Sequence, residues 1–215
     1  PKPTFWLLAF GAASSSVCGY GVAFWLPSFF ARSYGMDLDD RAIFLAALAL
    51  VGGVAGIWLG GVLGDKFGGK SKAAYPMVPA VCFLIALPFF VLGVNVPTTP
   101  IEIAGVAVPG LALTFLCLLV PQGLNLAWLG PVVTAVQHLT PASMRSTASA
   151  SFLLINNLVG IGIGTWIFGF LSEQFAPTYG DESLRMAIYV GLSFYVVAAV
   201  LLFFASRRIA KDWVD

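Results

Sequence analysis

Residues 44–67, FLAALALVGGVAGIWLGGVLGDKF, decide the fold of this chain. Residues 44–64 contain no Asp, Glu, Lys or Arg, and Asp65 is the first charged residue of the stretch. An α-helix rises about 1.5 Å per residue, so roughly 20 apolar residues cross the hydrocarbon core of a bilayer. The stretch therefore predicts a transmembrane helix that ends in charge at one membrane surface.

The same pattern recurs 108 residues later, in residues 152–175, FLLINNLVGIGIGTWIFGFLSEQF. The two stretches align without a gap, and Asp65 aligns with Glu173. Identical residues occur at Phe44/Phe152, Leu45/Leu153, Leu50/Leu158, Val51/Val159, Gly52/Gly160, Gly56/Gly164, Trp58/Trp166, Gly61/Gly169, Leu63/Leu171 and Phe67/Phe175. Gly, Leu and Phe are common in this chain and produce chance matches, but the shared Trp followed by Gly-x-Leu-x-acid-x-Phe indicates an internal repeat.

The rest of the chain is equally apolar. Of its 215 residues 59% are hydrophobic and 10% are charged, whereas a soluble domain carries roughly 25% charged residues. Charges divide the sequence into six uncharged runs: 3–31, 42–64, 73–101, 103–144, 146–172 and 186–206. We therefore predict an all-α membrane protein, a single bundle of six transmembrane helices that span about residues 4–31, 41–64, 73–95, 112–138, 147–175 and 184–206.

The fourth run is longer than one simple crossing needs. Pro109-Gly110 and Pro121-Gln122-Gly123 interrupt it, so two short spans or one kinked span are both compatible with the sequence. The repeat favours one crossing, because the offset of 108 residues places the first span over residues 112–139. Each repeat unit, about residues 1–107 and 108–215, then contains three spans. An odd number of crossings inverts the second unit relative to the first, which predicts a 3+3 inverted repeat.

The basic residues predict an orientation. With the N-terminus inside, eight of them lie at inside ends: Lys2, Lys66, Lys70, Lys72, Arg145, Arg207, Arg208 and Lys211. Three lie at outside ends: Arg32, Arg41 and Arg185. The positive-inside rule therefore predicts a multi-pass protein of the bacterial inner membrane or plasma membrane, with both termini cytoplasmic. The chain opens on Pro1-Lys2-Pro3 rather than on a methionine, which predicts that it belongs to a longer protein.

Several function classes find no support in the sequence. The net charge is +1, and no basic patch with interleaved aromatic residues suggests nucleic-acid binding. Cys18, Cys82 and Cys117 all fall inside apolar runs, as small core residues do. No phosphate-binding loop, nucleophile–base pair or metal-ligand spacing occurs, so we predict no enzyme activity, no catalytic residues, no cofactor and no metal.

Span two carries a stripe of glycines. Gly52, Gly56 and Gly60 recur at every fourth residue, followed by Gly64, and residues at that spacing share one helical face. Small residues on one face let two membrane helices approach closely. The stripe predicts helix packing, either static or as a smooth surface that slides during a conformational change.

Residues 60–70, GGVLGDKFGGK, follow that stripe and resemble the loop signature of major facilitator carriers, Gly-x-Leu-x-Asp-x-x-Gly-x-Lys/Arg. The resemblance implies a conformational latch, in which a charged cluster holds one state and releases in the other. The candidate latch residues are Gly61, Gly64, Asp65, Lys66, Gly68, Lys70 and, in the other inside loop, Arg145. The alternative is a positively charged anchor at the inside surface, which requires only Lys66, Lys70 and Lys72.

Two further segments narrow the resemblance. Residues 19–27, GYGVAFWLP, and residues 144–164 are similar to the C-terminal half of spinster-type carriers. An N-terminal half usually carries an arginine in its fourth span, and residues 103–144 contain none. The resemblance implies one half of a major facilitator fold whose N-terminal six-helix half is the missing partner. It also implies transport of lysophospholipids or sphingolipid-like molecules, with proton coupling.

Few polar residues occur at membrane depth. Buried amides facing lipid are costly, so we expect them to face inward, either as hydrogen-bonding glue between helices or as a cavity wall. The candidate cavity residues are Ser16, Tyr20, Phe24, Gln122, Asn125, Trp128, Asn156 and Asn157. Uncharged polar groups among aromatic rings suit an amphipathic small molecule. We therefore predict half of a secondary transporter that works by alternating access, while an oligomeric six-span channel remains the alternative.

Overall fold

The computed structural model describes residues 2–103 and 105–214 and is almost entirely helical. Its helices are α1 (Pro3–Ser33), α2 (Leu38–Gly68), α3 (Ala74–Asn95), α4 (Gly110–Leu126), α5 (Leu129–Gln137), α6 (Arg145–Tyr179), α7 (Ser183–Gly191) and α8 (Ser193–Asp212). Short 3-10 turns, Ala142–Met144 and Gly180–Glu182, precede α6 and α7. Two strands, β1 (Ile101–Ile103) and β2 (Val106–Val108), form an antiparallel hairpin between α3 and α4.

Five helical segments in the described part of the chain are long and apolar enough to cross a membrane. They are Pro3–Ser33, Leu38–Gly68, Ala74–Asn95, Gly110–Gln137 and Ala142–Asp212. The last of these is 71 residues long and contains α6, α7 and α8. These segments make the chain an integral membrane protein.

Local sequence explains where the helices begin and end. The Asp37 carboxylate accepts a hydrogen bond from the Asp40 amide at 2.9 Å, which caps the first turn of α2. Asp39 and Asp40 lie in that same turn, where negative charge is favourable. Helix α6 ends at Gly180, whose φ of 54° lies in the region that only glycine adopts readily.

Proline divides the fourth predicted span. Pro131 has no amide hydrogen, so the carbonyl of Ala127 has no donor four residues ahead, and the proline ring disfavours a continuous helix there. Accordingly, α4 ends at Leu126 and α5 begins at Leu129. The two helices together still form one apolar segment, Gly110–Gln137.

The core lies where α1 packs on α6 and α8, and where α3 packs on α4 and α8. Large side chains fill it completely, among them Phe29, Phe83, Phe152, Phe168 and Tyr195. Helix α2 packs chiefly on α4 and is otherwise uncovered. In its most apolar window only 28% of the residues are buried, against 61% in α1, so α2 presents a wide apolar surface outside this bundle.

Candidate functional site

The glycine stripe of α2 lies directly against α4 and α5. A Cβ atom added to Gly52 would lie 2.7 Å from Cγ of Gln122, and one on Gly64 would lie 2.8 Å from Cγ of Pro131. Between them, Gly56 faces the carbonyl of Gly123 and Gly60 faces the carbonyl of Ala127, each too close for any side chain. The Ala127 carbonyl is the one that Pro131 leaves without an amide donor, so the stripe packs against the kink of the fourth span.

The glycines of the second repeat make the corresponding contact with α1. A Cβ atom on Gly160 would lie 2.6 Å from Cβ of Ser16, and one on Gly164 would lie 2.5 Å from the carbonyl oxygen of Val17. One turn further on, the Trp25 indole donates to the Thr165 carbonyl at 2.8 Å. Helices α1 and α6 are therefore held at backbone contact along much of their length.

Ser16 and Asn156 form a buried polar pair inside that contact. The Ser16 hydroxyl donates to Oδ1 of Asn156 at 2.8 Å, and both residues are buried. Neither side chain reaches the surface of the bundle. This pair fits hydrogen-bonding glue between helices better than a cavity wall.

Tyr20 and Asn157 form a second polar pair, on the open surface between α1 and α6. The Tyr20 hydroxyl donates to Oδ1 of Asn157 at 2.9 Å, and 39% of Tyr20 remains exposed. Phe24, one helical turn along α1, is 61% exposed. The tyrosine ring and the amide therefore offer polar atoms on a surface that is otherwise apolar.

Gln122 and Asn125 surround a small void between α1, α4 and α8. The void has a volume of about 20 Å³, enough for one water molecule. The Tyr195 hydroxyl donates to Oδ1 of Asn125 at 3.0 Å, and the Asn125 amide lies over Gly19, where a Cβ atom would be 2.7 Å away. Trp128 is buried and packs edge-on against Phe152, with ring centroids 6.0 Å apart.

The structure thus divides the predicted cavity residues into three groups. Tyr20, Phe24 and Asn157 share the open surface, Gln122 and Asn125 border the void, and Ser16, Trp128 and Asn156 lie in the core. Sequence analysis missed Tyr195, which is fully buried and stacks on Phe83 with centroids 5.2 Å apart. The available signal was a tyrosine inside an apolar run, because its buried hydroxyl requires a hydrogen-bond partner.

The candidate latch residues lie at one end of the bundle, here called the basic end, which holds Lys2, Lys72, His138 and Trp213. Gly64 is buried on Pro131, while Asp65, Lys66 and Lys70 are exposed. Gly61 lies near Gly130, where an added Cβ would be 3.6 Å from the Gly61 Cα atom.

Arg145 begins α6, and its Nε atom is buried without a hydrogen-bond partner among the described residues. Asp65 and Arg145 form no ion pair with each other in the described part of the chain; the ion pair resolved there joins Arg185 to Glu182 at 2.8 Å. The two candidate latch charges are therefore not bonded to one another in this conformation.

The opposite end of the bundle is held by tyrosine hydroxyl groups. Tyr34, just beyond α1, donates to the Val96 carbonyl at 2.7 Å and lies 3.3 Å from the Thr114 hydroxyl. Burial raises the pKa of Tyr34, so its hydroxyl keeps the proton that it donates. Tyr189 donates to Oδ1 of Asn95 at 2.7 Å. These bonds tie the ends of α1 and α3 to α4 and α7.

No family model matches the chain, but several characterised proteins are similar to it. An MFS-type efflux pump of Mycolicibacterium smegmatis is 27% identical over 215 residues, which cover 100% of this chain and 47% of the pump. The uncharacterized transporter YybO of Bacillus subtilis is 30% identical over 188 residues, covering 83% of this chain and 40% of YybO. Protein spinster homolog 1 of Xenopus tropicalis is 24% identical over 227 residues, covering 94% of this chain and 41% of that protein.

Solved structures agree with these relatives. A bacterial homolog of the human lysosomal transporter Spinster, inward-facing and unoccupied, superimposes with a TM-score of 0.86 and 27% identity, covering 100% of this chain and 50% of that one. The occupied inward-facing form gives a TM-score of 0.82 and 26% identity. The chain spans about half the length of the proteins it matches, and those proteins are transporters rather than enzymes. The resemblance predicted from the loop signature is confirmed, and the chain belongs to the major facilitator superfamily as a spinster-like transporter sequence.

Proposed function

We propose that the chain is the C-terminal six-helix half of a secondary active transporter. It moves an amphipathic or lipid-like small molecule across the membrane by alternating access, in concert with the N-terminal half of the same carrier. The observation that carries the proposal is the hydrogen-bonded pair Tyr20–Asn157, which is exposed on the surface shared by α1 and α6. Phe24 and the apolar side chains around the pair complete a surface with both polar and apolar character.

Six crossings account for the longest apolar segment. Ala142–Asp212 has 71 residues and would be about 107 Å long as one helix, whereas the hydrocarbon core is about 30 Å thick. The chain turns at Gly180, where φ is positive, and continues through Gly180–Glu182 into α7. Helix α6 is then the fifth crossing, and α7 with α8 the sixth.

Helix packing supports the 3+3 inverted repeat. If the spans of the second unit correspond to those of the first, the pairing of span one with span five is equivalent to that of span four with span two. The first pairing is α1 with α6, and the second is α4 with α2. Both bring glycines of the repeated stretch, Gly164 and Gly56, against the partner's backbone carbonyls. This correspondence is what an inverted repeat requires.

The substrate class follows from the charges that the open surface lacks. Spans one, four and five carry uncharged polar groups at depth, and residues 3–31, 103–144 and 146–172 contain no Asp, Glu, Lys or Arg. A charge at that depth is costly and marks ion or proton pathways. Proton coupling is therefore assigned to side chains of the N-terminal half, while this half supplies an uncharged wall for an amphipathic molecule.

The basic end is assigned to the cytoplasm of a bacterial inner membrane or a plasma membrane, with both chain termini on that side. Eight of the 11 Lys and Arg residues belong to this end by the positive-inside rule. The latch is formed by Gly61, Gly64, Asp65, Lys66, Gly68, Lys70 and Arg145. Since Asp65 is exposed here, its partner is a group on the other half or one reached in another state.

Reconstitution tests the proposal. The full carrier in liposomes should transport the substrate and show counterflow, whereas this chain alone should not transport. Adding the N-terminal half as a separate polypeptide should restore transport. Robust uptake by the isolated chain would contradict the half-carrier assignment. Uptake without stimulation by substrate on the opposite side would favour the oligomeric channel.

A further inference from the structure

Trp213, just beyond α8, links elements that are far apart in the chain. Its ring stacks on the His138 imidazole, with centroids 4.5 Å apart and an interplanar angle of 8°. It also stacks on Tyr75, with centroids 5.4 Å apart and an angle of 24°. His138 follows α5 and Tyr75 lies in the first turn of α3. We call Tyr75, His138 and Trp213 the aromatic clasp.

Hydrogen bonds fix the clasp to the end of α5. The Val214 amide donates to the His138 carbonyl at 2.7 Å, and Nδ1 of His138 lies 3.2 Å from the Val214 carbonyl. Backbone and side chain of one histidine therefore both bind the segment after α8. Such bonding holds Trp213 in one position rather than leaving it to swing freely.

The clasp reaches the candidate latch loop through Tyr75. A Cβ atom on Gly68 would lie 2.5 Å from Cζ of Tyr75, so the tyrosine ring rests on the last turn of α2. The ammonium group of Lys72, in the same loop, lies 5.1 Å from the Trp213 ring centroid, within cation–π distance. The α2–α3 loop is thus packed on a side chain that α8 delivers from the other repeat unit.

Helix α1 is tied to the same place. The Thr4 hydroxyl donates to Oδ2 of Asp212 at 2.5 Å, and the Lys2 ammonium donates to the Asp212 carbonyl. Asp212 immediately precedes Trp213. The residue pair therefore collects α1, the α2–α3 loop and the end of α5 at one point of the basic end.

We propose that Trp213 is a positioning residue that fixes the α2–α3 loop, and with it Asp65, to the ends of α5 and α8. Loop and bundle then move as one body. The positioning role concerns the loop itself and can be tested without transport; its bearing on the transport cycle rests on the proposed function. The stacking and cation–π contacts are local, so their loss affects the loop rather than the membrane interior.

Hydrogen exchange on the full-length carrier in lipid nanodiscs tests this role. The loop amides of Lys70, Ser71 and Ala74 are hydrogen-bonded at 3.1, 3.1 and 2.9 Å, so their exchange reports on loop opening. In Trp213→Ala, exchange of residues 68–75 should rise roughly tenfold, as expected for the loss of two aromatic contacts. Trp213→Phe, which keeps a ring, should remain within about threefold of the parent protein.

Trp6→Ala is the matched control, because Trp6 is near the same end but its ring contacts, Phe5 and Phe10, lie within α1. It should leave exchange of the loop unchanged. Equal exchange in the parent protein and Trp213→Ala would overturn the proposal. So would a uniform rise across all helices, because that result means global destabilisation.

Two further variants separate the arms of the clasp. Tyr75→Leu should speed exchange in residues 68–75 and leave the Val214 amide protected by the His138 carbonyl. His138→Ala should expose residues 213–214 more than Trp213→Phe does. Loss of protection at both places in both variants would contradict two separate arms. Transport measured in parallel distinguishes this outcome from failure of the transporter assignment, which leaves the exchange pattern unaffected.

Discussion

The hydroxyl of Tyr20 donates to Oδ1 of Asn157 across 2.9 Å, joining α1 to α6 on the open surface of the bundle. Four residues earlier on α1, Ser16 makes the same kind of bond to Asn156, but inside the core. Adjacent asparagines on α6 thus serve two different surroundings. The pair in the core has no access to a solute, whereas the pair at the surface does.

Tyr20→Phe should weaken substrate binding. The substitution removes the hydroxyl from the open surface and leaves the ring, so we expect KM to rise roughly two- to tenfold, the effect of one hydrogen bond. Uptake into proteoliposomes measures KM. Tyr179→Phe is the control, because Tyr179 is also exposed and packs its ring on Phe175 within α6. An unchanged KM in Tyr20→Phe would remove the main support for the binding surface.

Ser16→Ala should act on stability rather than on binding. It leaves the buried Asn156 amide without its partner, so the free energy of unfolding should fall by about 1–2 kcal/mol. Chemical or thermal unfolding in detergent measures the loss, and a double-mutant cycle with Asn156→Ala isolates the pair. KM should remain that of the parent protein. A raised KM at unchanged stability would place Ser16 in the binding surface instead.

Gly164→Ala should disrupt the contact between α1 and α6. The added methyl group would lie 2.5 Å from the Val17 carbonyl oxygen, and backbone cannot yield as a flexible side chain can. We expect a loss of about 1–3 kcal/mol, typical of overpacking. Gly162→Ala, two residues away with open space around its Cβ position, should be neutral or slightly stabilising. Equal effects at the two positions would mean that helix propensity, not close packing, explains the glycines.

Asp65→Asn should shift the balance between inward- and outward-facing states while folding is retained. Asp65 is exposed and contributes nothing to the core, so the thermal midpoint should change little. Cysteine accessibility of Tyr20→Cys from each side of the membrane reports the balance. Glu173→Gln, at the corresponding position of the second repeat, is the control and should leave the balance unchanged. Identical accessibility in Asp65→Asn and the parent protein would refute the latch.

Much of the fold follows from spacing along the chain. The uncharged runs predicted membrane helices, and the loop GGVLGDKFGGK predicted the superfamily that the relatives confirm. The glycines of residues 52–64 predicted a close helix contact because a period of four places them on one face. These inferences need only the length, polarity and helical period of a segment, which are properties of the sequence.

Tertiary structure alone decided what each face meets. The sequence placed Ser16 and Tyr20 on one helical face, yet one lies in the core and the other on the surface because α6 covers only part of that face. Tyr195, His138 and Trp213 acquire their roles from partners 138, 75 or 76 residues distant or more conspicuously remote in space, as with Trp213 and Tyr75. Helical period determines which residues share a face, but the neighbour across that face depends on how separate helices pack, and that arrangement is cooperative rather than local.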